Sequence, residues 1–263
     1  MARGQACVDD GEYALAVDLL REELGTVERQ KRFDEFALAG LLNLLGVACK
    51  FAGRFDEAEG YYTRAVALAD RIGESDSELM ATLLHNVGGL AHSRHLYADG
   101  IPHAQRGLTM REGLEPPDEY GVAADSSALA ALLEGAERYE EAEQLYRRAI
   151  PMFDEAGDQH EAAMTRNGLG SVCQATERFD EAATYYDAAI ALLEQCHGEH
   201  PGLGHVLNNR ATLHRRLGED TEARAMLARA QDLLERTLGP DHPVTIEVAG
   251  NRKRVDASPS PYV

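Results

Sequence analysis

Amide side chains recur in this 263-residue chain about every forty residues. Asn43, His85, Ser127, Asn167 and Asn208 form one column, and the residues after them, Leu44, Asn86, Ala128, Gly168 and Asn209, form a second. A primary amide carries two donors and an acceptor. A row of them can pair with the N–H and C=O groups of an extended peptide, whatever that peptide's side chains are. The same amides can instead brace a neighbouring helix end. Asn is mildly unfavourable inside a helix, so either role gives a reason for its recurrence. Seven residues on, two turns along one helical face, stand Lys50, His92, Glu134, Gln174 and Arg215, with Arg166 and Arg210 close in sequence. Cations there could hold a carboxylate or an acidic side chain; a solvated charged face is the plainer alternative.

Other chemistry-bearing residues point less far. His92, His95 and His103 lie close in sequence, as do His197, His200 and His205, but a metal site needs three or four converging ligands. His200 and His242 each precede a proline, which suits a turn-and-cap role, so no metal or cofactor is expected. Cys7, Cys49 and Cys173 share a column that Ala91, Leu133 and His214 fill elsewhere, as buried, inert thiols would. Cys196, near a helix end, is the candidate for a reactive one. No phosphate loop, nucleophile elbow, zinc-protease or EF-hand pattern occurs. Gly88-Gly89 and Gly168-x-Gly170 read as helix-packing glycines. Carboxylate pairs such as Glu140-Glu141 recur at helix starts, which suits solubility better than acid–base work. No catalytic constellation emerges, and the chain is expected not to be an enzyme.

The elements that must position these residues come from a repeat. Segments beginning at Gly11, Gly53, His95, Glu137, Glu177 and Gly218 align at spacings of 40 to 42 residues. One column holds Tyr13, Phe55, Tyr97, Tyr139, Phe179 and the odd Asp220. Three residues on stand Ala16, Ala58, Gly100, Ala142, Ala182 and Ala223, then Leu20, Tyr62, Ala104, Tyr146, Tyr186 and Leu227, then Glu23, Ala65, Gly107, Ala149, Ala189 and Ala230. Steps of three and four mark one helical face. A second helical block precedes each segment, with a small column at Gly4, Gly46, Gly88, Ala130, Gly170 and Ala211. Each unit is therefore two antiparallel helices joined by a tight turn, with acidic helix starts such as Asp56-Glu57 that complement the helix N-terminus.

These residues identify a resemblance. The small column at Gly46, the aromatic at Phe55, and Ala58, Tyr62 and Ala65 with their equivalents resemble the tetratricopeptide repeat family over most of residues 4 to 255. The period of about 42 residues and the linkers Gly198-Glu-His-Pro201 and Gly239-Pro-Asp-His-Pro243 resemble its kinesin-light-chain type. The resemblance implies an all-α, right-handed superhelical solenoid of about six helix-turn-helix units, with the first helices lining the concave face. A closing helix is expected over Val244 to Val255. Residues 1–255 form one solenoid domain with a truncated first unit, either a natural cap or the start of a fragment, and 256–263 a flexible tail. Gly100 and Gly107 should loosen the third unit, and Pro151 should kink its helix.

Composition narrows the partners. Lys plus Arg is 26 against 45 Asp plus Glu, a net charge of −19. That argues against nucleic acid and against anionic lipid. No signal peptide or membrane span is visible, so a cytoplasmic protein is expected. The function that follows is a non-catalytic scaffold binding an extended peptide or partner segment in the groove. Asn43, Asn86, Asn167, Asn208 and Asn209 would hold its backbone, while His85, Lys50, His92 and Arg215 would contact its side chains. Two alternatives stand beside it. One is the ligand-sensing region of a signalling or transcription-control system. The other is an enzyme or the accessory subunit of a biosynthetic one, with His85, His92 and Cys196 to test first. A homodimer through Ala14, Val17 and Leu20 of the incomplete first unit is a further expectation.

Overall fold

The computed structural model describes residues 2–30, 33–75, 77–196 and 200–257. Among them are thirteen α-helices and no strand: α1 Ala2–Asp9, α2 Tyr13–Glu28, α3 Glu35–Phe51, α4 Phe55–Arg71, α5 Glu78–Ser93, α6 Tyr97–Glu112, α7 Glu119–Gly135, α8 Tyr139–Ala156, α9 Gln159–Ala175, α10 Phe179–Cys196, α11 Pro201–Leu217, α12 Asp220–Thr237 and α13 Pro243–Asp256. These are the six expected pairs, the first with a short leading helix, and the closing helix. The last turn of α13 reaches Asp256, one residue into the expected tail, and the rest of the tail from 258 lies outside the described residues. None of the described helices is long and apolar enough to cross a membrane.

The punctuation repeats with the sequence. First helices carry side-chain caps: Asp34, Ser77, Asp118 and Asp158 accept from backbone N–H groups of the first turn, and His200 and His242 do the same through Nδ1 ahead of their prolines. Each cap satisfies a donor that the helix itself leaves orphaned. Each first helix ends on a left-handed residue, at Gly11, Gly53, His95, Glu137, Glu177 and Gly218. That conformation lets the next N–H turn back on the helix, as Arg54 N–H does on Cys49 O (2.8 Å) and Arg178 N–H on Cys173 O (2.8 Å). A side chain at positive φ costs about 1–2 kcal/mol. Glu177→Gly, at φ 62°, is therefore expected to raise stability by about 1 kcal/mol, read as a higher urea midpoint.

The chain divides into two compact units, Met1–Arg138 and Tyr139–Val263. In the first, α3 packs on α5 and α5 on α7, whereas α2, α4 and α6 pack on first helices rather than on one another. An ion pair bridges the wider outer gap between α2 and α4, Arg64 to Glu28 (2.5 Å), and Arg94, at the end of α5, reaches Glu59 of α4 (2.7 Å). In the second unit α9, α11 and α13 pack side by side, Arg178 in the turn before α10 reaches Glu143 of α8 (2.6 Å), and Arg229 of α12 reaches Glu194 of α10 (2.6 Å). Within each unit the first helices therefore form the tighter, inner layer.

The small and large columns meet as jigsaw pieces. A Cβ on Gly46 would stand 2.3 Å from the Tyr62 ring, one on Gly170 2.8 Å from Tyr186, and one on Gly4 2.4 Å from Leu20. Cys49 and Cys173 are buried and Cys7 half-buried. One expectation needs correcting. Val17 and Leu20 are both 0% exposed, covered by α1 and α3, so they form no dimer contact; Ala14 alone of the three is exposed. Gly100 and Gly107 are sites of close approach: a Cβ on Gly100 would meet Leu132 at 2.7 Å and Ala91 at 2.8 Å. Helix α8 runs unbroken through Pro151 to Ala156.

Candidate functional site

The expected amides lie on the inner helices and bond to each other. In the first unit Asn86 of α5 donates through Nδ2 to Asn43 Oδ1 of α3 at 2.8 Å. In the second, Asn209 of α11 donates to Asn167 of α9 at 3.0 Å, and Asn251 of α13 to Asn208 of α11 at 2.7 Å. Each rung links adjacent first helices, so the bracing role is real. It also leaves capacity over. The accepting Asn keeps both N–H donors, and Asn86 and Asn209 each keep a carbonyl oxygen and one N–H. All are half-buried except Asn208, which is buried. Sequence reading misses Asn251, although it stands one period beyond Asn209 in the column; its carbonyl also accepts from Arg254.

Two turns along the same faces lie the cations. Lys50 is half-buried, and burial lowers its pKa. Its Nζ sits 4.5 Å over the Phe51 ring and beside Gly89, where a Cβ would come to 3.3 Å. No carboxylate pairs with it among the described residues. His92 is partly covered, and burial, then His95 and Lys50, lower its pKa, which favours the neutral ring. Arg215 in the second unit likewise makes no ion pair among the described residues. Arg166 and Arg210 are held by Asp154 (2.7 Å) and Asp187 (2.8 Å). Gln174 accepts from Tyr186 Oη at 3.2 Å.

His85 stands apart. Its Nδ1 lies 2.7 Å from Asp125 Oδ1. Arg111 holds the other oxygen of Asp125 through Nε at 2.7 Å, Asp118 through Nη1 at 2.6 Å, and Thr82 through Nη2 at 3.3 Å. Asp125 is 3% exposed and Arg111 7%. Burial opposes the Arg111 charge, but the bonds to Asp125 and Asp118 outweigh it and raise its pKa. Burial alone would also raise Asp118; the Gly121 N–H and Arg111 outweigh that and hold it below its ordinary value of 3.8. A carboxyl whose folded pKa is depressed stabilises above its unfolded pKa and loses that stabilisation as pH falls through the folded one. Stability is therefore expected to fall below about pH 4, and Asp118→Asn, which keeps a good cap, to flatten that fall in urea midpoints measured against pH.

Sequence reading names His85 and misses Arg111, Asp118 and Asp125. The signal is present. Asp125 occupies a column that is Leu41, Leu83, Thr165 and Val206 elsewhere, and Arg111 one that is Val27, Ala69, Phe153, Leu193 and Leu234. His85 and His92 lie seven residues apart on α5, about 10 Å at helical rise, and do not converge. The side chain of Cys196 and all of His197 lie outside what is described. Among the described residues no three His, Cys, Asp or Glu gather as metal ligands.

A family model described as Tetratricopeptide repeat matches residues 37–113, 79–155, 122–195, 161–235 and 202–257. No curated protein matches the chain. Among solved structures it is similar to a putative kinesin light chain with nearly identical TPR-like repeats from Podosopora anserina, at 13% identity and TM-score 0.62, covering 78% of this chain and 99% of that one. It is also similar to NprR in complex with its cognate peptide NprX, at 17% identity and TM-score 0.70, covering 93% and 70%. The apo form of the quorum sensor NprR from B. thuringiensis matches at 15% identity and TM-score 0.69, covering 97% and 67%. At such identities the likeness is one of fold.

Proposed function

The chain belongs to the tetratricopeptide repeat family, and from that premise we propose that it is a non-catalytic binding scaffold. Its inner helix faces hold an extended peptide or partner segment. The observation that carries this reading is the set of amide rungs, which join neighbouring helices with one hydrogen bond each and keep donors and acceptors for a peptide backbone. A similar fold, NprR, is seen with a peptide. Lys50 and Arg215, cations without carboxylate partners among the described residues, favour an acidic group on the ligand. If the protein dimerises through its N-terminal end, Leu15, 48% exposed, is the residue such a contact buries.

The test is selection of a phage-displayed random peptide library on the wild type, with selected peptides titrated onto Asn43→Ala/Asn167→Ala/Asn208→Ala. Ala is the better helix former, so the variant keeps its circular dichroism. Each lost hydrogen bond is worth about 0.5–1.5 kcal/mol, so a peptide held on either unit should bind at least about twofold more weakly. Unchanged affinity in the folded variant would place the ligand elsewhere and sink the reading. A ligand-sensing role is the second reading, supported by the likeness to a quorum sensor. There the same peptide would also slow amide hydrogen exchange well beyond the helices it touches.

A further inference from the structure

The amide ladder of the first unit stops at His85. The residue placed to donate to it, as Asn86 does to Asn43, is Ala128, which has no amide. In its place α7 offers Asp125 and α6 offers Arg111, charged residues in columns that the other repeats fill with apolar or hydroxyl side chains. The repeat is its own control. Other pairs fold with Leu83 or Val206 and with Phe153 or Leu234 fully buried at these positions, and a buried ion pair is generally no more stabilising than such packing. The charged pair therefore calls for a role beyond holding helices together, and the residue it holds is His85.

The geometry fixes the imidazole. Arg111 Nε donates to Asp125 Oδ2, and Asp125 Oδ1 lies 2.7 Å from His85 Nδ1, placed to accept a proton carried there. In a neutral ring the proton on Nδ1 leaves Nε2 as a bare lone pair. The His85 side chain is 34% exposed, and Nε2 makes no hydrogen bond among the described residues. We propose that His85 presents Nε2 as a fixed acceptor for a hydrogen-bond donor of the ligand, a hydroxyl or an amide or ammonium N–H, and that Asp125 and Arg111 are its positioning residues. The ligand half of this inference rests on the groove reading above; the tautomer half does not.

Long-range 1H–15N NMR of the imidazoles tests the tautomer on the free protein at neutral pH. His85 should show a protonated Nδ1 and an unprotonated Nε2. Asp125→Asn should invert this: the Asn carbonyl stays with Arg111, its Nδ2 donates to His85 Nδ1, and the proton moves to Nε2. A wild-type His85 protonated on Nε2, or averaging both tautomers, overturns the proposal whether or not the variant folds. For the ligand half, the probe is the same random peptide library. Wild-type selections should be enriched in Ser, Thr, Asn or Lys at one position, and selections on Asp125→Asn should lose that preference. A preference that survives the substitution overturns it. A library giving no peptide dependent on the Asn residues removes the groove reading and the ligand half with it, while the tautomer result stands on the spectrum.

Discussion

Asp125→Ala is expected to destabilise the protein by about 3–5 kcal/mol, the usual cost of breaking a buried ion pair from one side. Truncation leaves the Arg111 guanidinium, 7% exposed, with Asp118 as its remaining carboxylate partner. It also removes the acceptor from His85. The informative comparison is Arg111→Leu/Asp125→Leu. Leu stands at the Asp125 position in the second and third helix pairs and at the Arg111 position in the last two, so the double variant imitates ordinary repeats. It is expected to come within about 1 kcal/mol of the wild type, or above it, because exchanging a buried ion pair for apolar packing is often neutral or favourable. Urea midpoints at constant slope decide the matter. A double variant as damaged as the single one would show that the network is there for stability, and its assignment to positioning His85 would fall.

Gly46→Ala is the second large effect. A Cβ there would lie 2.3, 2.6 and 2.7 Å from three ring atoms of Tyr62, whose side chain is itself 1% exposed. The ring is buried, and overpacking of this kind costs about 1–3 kcal/mol, more than the helix-forming gain from Gly to Ala of about 0.5–1 kcal/mol. The net loss should be about 1 kcal/mol. Two variants frame it. Gly60→Ala, where a Cβ meets nothing within 4 Å, should show the helix-forming gain alone. Gly46→Ala/Tyr62→Leu copies the Ala211–Leu227 pairing of the last unit and should recover most of the loss. Thermal or urea unfolding of the four proteins separates packing from propensity. A Gly46→Ala as stable as Gly60→Ala would mean that the two columns do not meet as described.

Much of this fold is legible because it repeats. Step patterns of three and four place both helices of each pair, and glycines at Gly46 and Gly170 face the large residues that the columns pair with them. The prolines after His200 and His242 mark caps that the structure shows. What column reading passes over is exception. Arg111 and Asp125 are 14 residues apart, and His85 lies 40 residues before Asp125. Each looks like a degraded repeat position until all three are seen together. The N-terminal end fails for a different reason: the short α1 is still long enough to put Gly4 against Leu20, so apolar residues that look uncovered are core. The amides stand out in the sequence, but only three-dimensional packing shows that a donor in one column meets an acceptor one period earlier, leaving further donors and acceptors for something else.

Side-chain amide NMR tests the central claim most directly. Spectra of the 15N-labelled protein would be recorded with and without the tightest peptide from the library selection. If the inner helix faces bind it, the Nδ2 signals of Asn43 and Asn86, or of Asn167, Asn208 and Asn209, shift on addition. Those of Gln105 and Gln144, exposed on the second helices α6 and α8, stay in place. Shifts confined to Gln105 and Gln144, with the Asn signals unmoved, would mean that the peptide binds the outer layer and that the amide rungs serve only to join helices.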